Sequence, residues 1–416
     1  MSNMPAKTDV RIVRELAKRY AESAADETNR LRIGRARNIN SLKPERPIVW
    51  IDEIPWHEMN LDDELTLRCE NEELRGMERF LRRSLYQWRH MQADMVLEDF
   101  YYVSKDYDST GSGLRVRETT VAADQRNHII SHHYEDQLDT EEKLAGMRIP
   151  AITARPDKDE HRLALAAEVL EGILPVRLRG HGVYYAPWDD LSRLRGVEAI
   201  LIDLAERPEF MHKTIARYNE IMTSQYEQME AQELLDYNIQ SLHCTPPYVE
   251  ELPGPGYEGG AARFKNIWFR GMAQIFGSVS PAMHEEFELQ YSRRLMDRCG
   301  LSYYGCCEPL DNKIDILKKI PNMRKIGVSP WANVRASAEA MGGRYVFARK
   351  PNPALVAGQF NEEEVRRETR ETIEACLANK CPYEFVLKDI STVSYRPWNL
   401  FEWTRVVTRT IDEYYV

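Results

Sequence analysis

Near the start of the chain, hydrophobic positions recur with a helical period. Further on, they form short continuous runs. Apolar residues recur roughly every 3.6 positions across 8–40, which predicts a charged N-terminal helix packed outside the main fold. An apolar run at 46–52 predicts a first strand. The Glu- and Arg-rich stretch 61–95 predicts a long helix.

From residue 158 onward the pattern becomes regular. Predicted strands and helices alternate at intervals of roughly 25–45 residues, which indicates parallel βα units. No GxGxxG or GxxxxGK[ST] motif opens any unit, so a nucleotide-binding sheet is disfavoured. We predict an α/β fold, a TIM (β/α)8 barrel with an N-terminal helical extension. The strands are predicted at 174–178, 238–244, 268–274, 301–309, 325–329, 342–348 and 383–388. The helices are predicted at 158–171, from a cap at 203–208 through 217 to 233, and at 280–297, 311–319, 333–341, 361–379 and 399–414.

The same pattern divides the chain into two parts. Residues 1–45 form the predicted extension, a basic linker with a proline lies at 43–46, and the barrel is predicted to cover 46–416. Within the barrel, 97–150 resembles an insertion, with predicted strands at 98–103 and 113–117 and a helix beginning near 139. Two roles stay open for this segment: it could cover the substrate site or form a contact between subunits.

Composition narrows the class of protein. The chain has 416 residues and a net charge of −10, which argues against nucleic acid as a partner because phosphate binding needs clustered Lys and Arg. No apolar run approaches the length of a membrane span, and the first 18 residues lack a signal-peptide core. The seven cysteines are odd in number and irregular in spacing, which favours a cytoplasmic location over a disulfide framework.

The strongest chemical signal is the end of the strand predicted at 301–309. Cys306, Cys307 and Glu308 lie between Gly305 and Pro309, and two thiolates with a carboxylate suit a metal site or a nucleophile. The alternative is a pair of buried cysteines acting as small hydrophobes. A carboxylate there weakens that alternative, because it needs a partner when buried. Strand alternation sends Cys306 and Glu308 to one face and Cys307 to the other.

Weaker signals lie at other predicted strand ends and loops. His243 and Cys244 precede Thr-Pro-Pro and offer a further metal ligand, although a hydrogen-bonded core histidine is the alternative. His181 and Tyr185 belong to 180–188, a predicted loop with an aromatic lining, and are candidate substrate-binding residues. Tyr303 is a third such candidate, with a place in the core as its alternative.

Four segments, taken in order, resemble the uroporphyrinogen decarboxylase superfamily over roughly 46–416. The resemblance implies a TIM barrel. The segments are Arg-Pro-Ile-Val-Trp at 46–50, Leu-Ile-Asp-Leu-Ala-Glu-Arg-Pro at 201–208, Ser-Pro-Ala-Met at 280–283 and Ala-Glu-Ala-Met-Gly-Gly-Arg at 338–344.

The superfamily has two main chemistries, and the residues separate them. Its decarboxylases hold a porphyrinogen with arginines just after the first strand, but 51–56 here reads Ile-Asp-Glu-Ile-Pro-Trp, with two acids and no arginine. A polyanion would be repelled there, so we reject porphyrinogen decarboxylation. The other branch, the zinc methyltransferases of corrinoid systems, has His-x-Cys-Gly at a strand end and a later cysteine. Cys307 falls on the first family cysteine, Gly305 replaces the histidine, and 388–392 lacks the late cysteine.

The resemblance implies a zinc-dependent methyltransferase. It would move a methyl group from a small methylated donor, such as an aryl methyl ether, to the cobalt of a corrinoid (cobalamin) on a separate protein. The resemblance assigns zinc to Cys307 with some of Cys306, Glu308 and His243, and catalysis to Cys307 and Glu308. The corrinoid protein is expected to be separate because this chain has no Asp-x-His-x-x-Gly motif. Two alternatives stay open, a corrinoid-to-thiol methyltransferase and a metal-free ligand-binding or scaffold barrel. A homodimer is a candidate assembly.

Overall fold

The computed structural model describes residues 6–43, 45–122, 124, 126–127 and 130–415. The first five residues and Pro44 of the predicted linker lie outside this part of the chain. None of the helices in the described residues has the length and apolar composition of a membrane span. The helices are α1 (Lys7–Ala24), α2 (Glu27–Asn40), α3 (Glu72–His90), α4 (Glu141–Ala145), α5 (Pro156–Leu170), α6 (Pro187–Arg195), α7 (Val197–Glu206), α8 (Pro208–Ala231), α9 (Pro281–His284), α10 (Gln290–Met296), α11 (Ile314–Leu317), α12 (Val334–Met341), α13 (Ala354–Ala357), α14 (Glu362–Ala378) and α15 (Trp398–Asp412).

The strands form one large sheet and three small pairs. They are β1 (Ile48–Ile51), β2 (Tyr101–Ser104), β3 (Tyr107–Ser109), β4 (Glu118–Val121), β5 (Ser131–Tyr134), β6 (Ile152–Ala154), β7 (Val176–Arg179), β8 (Val183–Tyr185), β9 (Trp268–Gly271), β10 (Leu301–Tyr304), β11 (Met323–Val328), β12 (Val346–Arg349) and β13 (Tyr383–Leu387).

The large sheet confirms the predicted α/β class. Its seven strands run in the order β1-β13-β12-β11-β10-β9-β8, and every neighbouring pair is parallel. The two outer strands, β1 and β8, are not hydrogen-bonded to each other among the described residues, and β2 and β7 form a separate parallel pair. The described strands therefore give an open seven-stranded sheet, and the closed eight-stranded ring stays a prediction.

Several predicted elements differ in extent from those observed. The single helix predicted over 8–40 is two helices, α1 and α2, because Asp26 accepts a hydrogen bond from Thr28 N and starts a new helix. The long helix predicted at 61–95 is shorter, since Asn71 caps the start of α3. The predicted strand at 113–117 is irregular, and the predicted loop at 180–188 contains β8 and the start of α6.

The two faces of the large sheet differ in chemistry. The outer face packs Phe269, Ile326 and Phe385 against the surrounding helices in the main apolar core. The opposite face, which we call the inner face, carries buried charged and aromatic side chains. These are Trp268, Arg270, Tyr303, Lys325, Lys350 and Glu384.

A buried ion pair joins two strands across the inner face. The ammonium of Lys325 donates to both carboxylate oxygens of Glu384 at 2.9 Å, and both side chains are fully buried. Thr245 Oγ1 donates to the same two oxygens at 2.8 Å and accepts from Lys325 Nζ at 3.1 Å. The hydroxyl comes from the loop between α8 and β9, so this triad fixes that loop inside the sheet.

Removing one member of the triad leaves an unpaired buried charge. We expect Lys325→Met to lower the free energy of unfolding by about 3–5 kcal/mol, because Glu384 would stay buried without its cation. Urea unfolding followed by circular dichroism measures this change. Lys318→Met is the control, since Lys318 pairs with the exposed Asp315 and its loss should change stability by less than about 1 kcal/mol. Equal stability of the two variants would contradict this role of the triad.

Candidate functional site

Side chains that follow three parallel strands meet at the carboxyl edge of the sheet, around the sulfur of Cys306. The Sγ of Cys306 accepts a hydrogen bond from Lys388 Nζ at 3.0 Å, and Lys388 directly follows β13. His243 Nε2 lies 3.4 Å from this sulfur, and Cys307 Sγ lies 3.5 Å from it. The structure thus brings together Cys306, Cys307 and His243, three of the four predicted metal ligands.

Gly305 sets the direction of the chain that carries both cysteines. Its φ of 98° lies in the left-handed region, and a Cβ at this position would collide with Leu310 Cδ1. Its N–H donates to Gly271 O at 3.0 Å and so extends the pairing of β10 with β9 by one residue. The chain then leaves the sheet, and the simple alternation expected for 306–308 does not apply.

Glu308 supports this turn with its carboxylate. Its Oε2 accepts from Cys306 N at 2.9 Å and its Oε1 accepts from Ala273 N at 3.3 Å. Burial raises the pKa of Glu308 to about 7. In this structure both oxygens therefore hold the backbone beside the thiols, whereas the sequence predicts a metal ligand and catalytic group.

His243 and Cys244 come from an irregular loop and not from the strand predicted at 238–244. Both residues have positive φ, 47° and 67°, a backbone conformation that non-glycine residues seldom adopt. The next residue, Thr245, is bonded to Glu384 and Lys325 as described above. This buried anchor holds the strained pair against the sheet edge, so that His243 faces Cys306.

Hydrogen bonds and nearby charges give the two adjacent thiols opposite character. Donation from the Cys307 thiol lowers the pKa of Cys306 well below its usual range, with further help from His243, Arg270 and Lys388. The same contact raises the pKa of Cys307, whose sulfur also lies 2.7 Å from Asp389 Oδ2, a second acceptor for its single S–H. Cys306 is therefore the more acidic thiol of the pair.

The neighbouring histidine is uncharged at neutral pH. Burial lowers the pKa of His243 to about 4. A neutral imidazole has a free nitrogen lone pair and can bind a metal. The more acidic thiol and a neutral imidazole thus face each other, and metal binding requires a thiolate and a neutral imidazole.

Acidic groups surround the other side of the cluster. Glu53, which follows β1, accepts from Cys244 Sγ at 3.4 Å and from Asp389 N at 2.9 Å. Ligand atoms of Glu53, His243 and Cys244 all lie within 4.8 Å of one another. Lys388 Nζ lies 3.4 Å from Glu53 and 3.1 Å from Asp389, so its ammonium sits between the carboxylates and the thiolate. These negative groups, Cys306 foremost, raise the pKa of Lys388 although burial acts to lower it.

The spacing of the donors suits zinc. Tetrahedral zinc with Zn–S bonds of about 2.3 Å and Zn–N bonds of about 2.0 Å holds its ligand atoms roughly 3.5–3.8 Å apart. The observed separations of 3.5 Å between the two sulfurs and 3.4 Å between sulfur and imidazole nitrogen come close to this range. Cys306 is thus close enough to Cys307 and to His243 to share a metal with either, and among the described residues the three whose ligand atoms all lie within 4.8 Å of one another are Glu53, His243 and Cys244.

A cavity of about 440 Å³ opens beside the cluster. Its lining includes the predicted residue His181, whose Nε2 lies 2.8 Å from Lys105 O, and also His243 and Cys244. Tyr184 is another wall residue, and its ring lies 5.0 Å from that of His243. Arg270, on β9, completes the inner wall.

The other two predicted substrate residues do not line this cavity. Tyr185 alternates with Tyr184 along β8, so its ring packs against Phe269 in the outer core and its hydroxyl donates to Asn219. Tyr303 is fully buried on the inner face, where Lys350 Nζ donates to its hydroxyl at 2.5 Å. Tyr184, one residue away from the predicted Tyr185, is the aromatic group that the cavity exposes.

Lys388, Asp389 and Arg270 belong to the site but are not among the residues predicted from the sequence. The sequence held a signal for the first two, because Lys388 ends the strand predicted at 383–388 and Asp389 follows it, at the edge where parallel sheets collect functional groups. Arg270 gave a different signal, since a charged residue inside the apolar run 268–273 needs a reason to be buried. Glu53 is one of the two acids of 51–56, which the sequence uses only to exclude a porphyrinogen.

Among comparisons with known proteins, only those with solved structures gave matches. No protein-family model and no curated protein matches the chain. Solved structures that resemble it include a methyltransferase from Methanosarcina mazei, which shares 10% sequence identity at a TM-score of 0.49. That match covers 92% of this chain and 98% of the other.

The contact between Lys388 and Cys306 predicts a measurable change in thiol titration. In metal-free protein, we expect Lys388→Met to raise the pKa of Cys306 by about one unit or more, because the variant lacks the cation that favours the thiolate. Thiolate absorbance at 240 nm against pH, with a Cys306→Ser variant as the subtraction, reports this one cysteine. An unchanged midpoint would show that Lys388 does not stabilise the thiolate.

Proposed function

We propose that this protein is a zinc-dependent methyltransferase that moves a methyl group from a small methylated donor to the cobalt of a separate corrinoid protein. The observation that carries the proposal is the cluster at the edge of a cavity in which the Cys306 sulfur lies 3.5 Å from the Cys307 sulfur and 3.4 Å from His243 Nε2. Soft sulfur and imidazole donors of this kind select zinc among the common divalent cations. The open cavity beside them offers room for a donor of drug-like or smaller size.

The proposed metal ligands are Cys306, Cys307 and His243. When bound, zinc would act as a Lewis acid on the heteroatom that carries the methyl group and so make it a better leaving group. Glu53 and Cys244 are candidates for a fourth position, which a catalytic site could instead leave to the substrate. The corrinoid does the cobalt chemistry and would be brought by its own protein.

The chain's own side chains have separable roles in this proposal. Glu308 accepts from the backbone N–H of Cys306 and so fixes the turn that carries the two sulfurs. Lys388 compensates the thiolate before metal binds and can turn toward Glu53 and Asp389, which already lie 3.4 and 3.1 Å away. Tyr184 and His181 shape the wall against which the donor would lie.

A second candidate function rests on Lys388. An ammonium 3.0 Å from Cys306 already balances the thiolate charge without a metal. This favours the metal-free ligand-binding or scaffold barrel. The corrinoid-to-thiol methyltransferase is the remaining alternative, in which a thiol would be the methyl acceptor.

All seven cysteines are free, which supports placing the protein in the reducing cytoplasm.

Metal content tests the proposal directly. We expect about one zinc per chain in the purified, untagged protein and none in the Cys306→Ala/Cys307→Ala double variant, because both sulfurs are proposed ligands. Elemental mass spectrometry measures both. Cys299→Ala is the control, since this buried cysteine bonds to Leu295 O behind the sheet and should leave the zinc in place.

The outcomes separate the candidates. Zinc in the wild type and the control only, together with conversion of cob(I)alamin to methylcobalamin by a methylated donor, supports the proposal. Conversion of methylcobalamin by a thiol alone supports the reverse direction. Absence of zinc in protein purified without chelators supports the metal-free barrel.

A further inference from the structure

Arg270 is a buried cation that forms no salt bridge with a carboxylate of the described residues. Its side chain is 1% exposed. Among the described residues, its conventional hydrogen bond goes from Nη1 to Gly271 O, and Nη2 reaches only Met272 Sδ at 3.9 Å. Its Nε has no partner. A guanidinium carries five N–H donors, so most of its capacity to donate is unused.

The other buried cations nearby are better satisfied. Lys325 has Glu384, and Lys388 has Cys306, Glu53 and Asp389. Lys350 donates to the Tyr303 hydroxyl. The face of the same tyrosine ring lies 4.3 Å from the Arg270 guanidinium, which is a favourable but weak substitute for a carboxylate.

Because Arg270 lines a cavity, an anion that pairs with it would be a bound ligand and not a side chain of the fold. Arg270 lines the cavity of about 440 Å³ together with Tyr184 and His243. In the sheet it is level with Tyr303 on β10, and Cys306 follows three residues later along the chain, beyond the end of that strand. A group bound by Arg270 would therefore lie deep in the cavity, with the thiol cluster at the next level toward the carboxyl edge.

We propose that the cavity binds a small carboxylic acid, whose carboxylate is held by the guanidinium of Arg270 and whose other end points to Cys306 and His243. Arginine donates to carboxylates in a planar, two-bond geometry, and such bonds are strong in a site that excludes water. The aromatic ring of Tyr184 offers a flat wall for the body of the ligand. That the ligand carries a methyl group is inferred from the function proposed above. That it carries a carboxylate is inferred from Arg270 and does not depend on that function.

Paired ligands that differ only in charge test the inference. The probes are 4-methoxybenzoate and methoxyacetate, each with its neutral amide, titrated by calorimetry into the full chain. We expect at least one acid to bind about tenfold or more tightly than its amide, because a charged hydrogen bond is lost with the amide. Arg270→Gln should abolish this preference.

Arg324→Gln is the matched control. Arg324 also lies on a strand of the sheet, but it bonds to Asn40 O and Glu251 at 2.7 Å and does not line the cavity. We expect this variant to keep the preference for the acid. If Arg270→Gln does not fold, the comparison of acid and amide on the wild type decides the question, with Arg270→Lys as the variant that retains charge.

The results also separate this inference from the proposed methyltransferase. Acids that bind through Arg270 without any zinc or methyl transfer would support the carboxylate site and overturn the methyltransferase. Methyl transfer that proceeds equally from acid and amide would overturn the carboxylate site alone. Equal binding of acid and amide, a preference that survives Arg270→Gln, or no binding of either acid at millimolar concentration would each overturn it as well.

Discussion

The buried triad of Lys325, Glu384 and Thr245 is the interaction on which the site depends. A fully buried ion pair is weakly favourable at best unless its remaining hydrogen-bonding capacity is met. Here the loop hydroxyl of Thr245 meets it, at 2.8 Å from both carboxylate oxygens. The requirement to satisfy the pair thus draws an irregular loop into the sheet, and the residues just before Thr245 are His243 and Cys244.

Electrostatics on the inner face explains why the cysteines differ from ordinary core thiols. Burial raises the pKa of Cys244 and of Cys299, as it does for most thiols away from water. Cys306 is equally buried, yet it accepts from the Cys307 thiol and lies beside Lys388 and Arg270, so its pKa falls. An anion is the favoured form of Cys306 because the inner face around it is rich in cations.

The sequence predicted the elements of the large sheet better than the loops that complete the site. Strands at 301–304, 323–328 and 383–387 have short apolar runs bounded by turns, and their carboxyl ends follow from parallel topology. For the same reason, Cys306 and Cys307 could be placed at the functional edge from the sequence. The loop around His243 could not be predicted as irregular, because its conformation is imposed by Thr245 through contacts with residues 80 and 139 positions away. Secondary-structure propensity, which is a local property, does not include the effect of such distant contacts.

The roles of individual charged residues also depend on tertiary contacts that the sequence does not reveal. The sequence indicates that Glu308 needs a partner if it is buried, and the structure gives it two. It does not indicate that the partners are two backbone N–H groups, because that depends on the turn that Gly305 starts. Alternation along β8 likewise decides that Tyr184 and not Tyr185 faces the cavity, and the register of a three-residue strand follows only from its pairing with β9. Burying a carboxylate costs free energy in any position, so the sequence can identify a residue such as Glu308 as one that needs a partner. Whether that carboxylate supports the backbone or binds a metal depends on the hydrogen bonds that the tertiary structure provides.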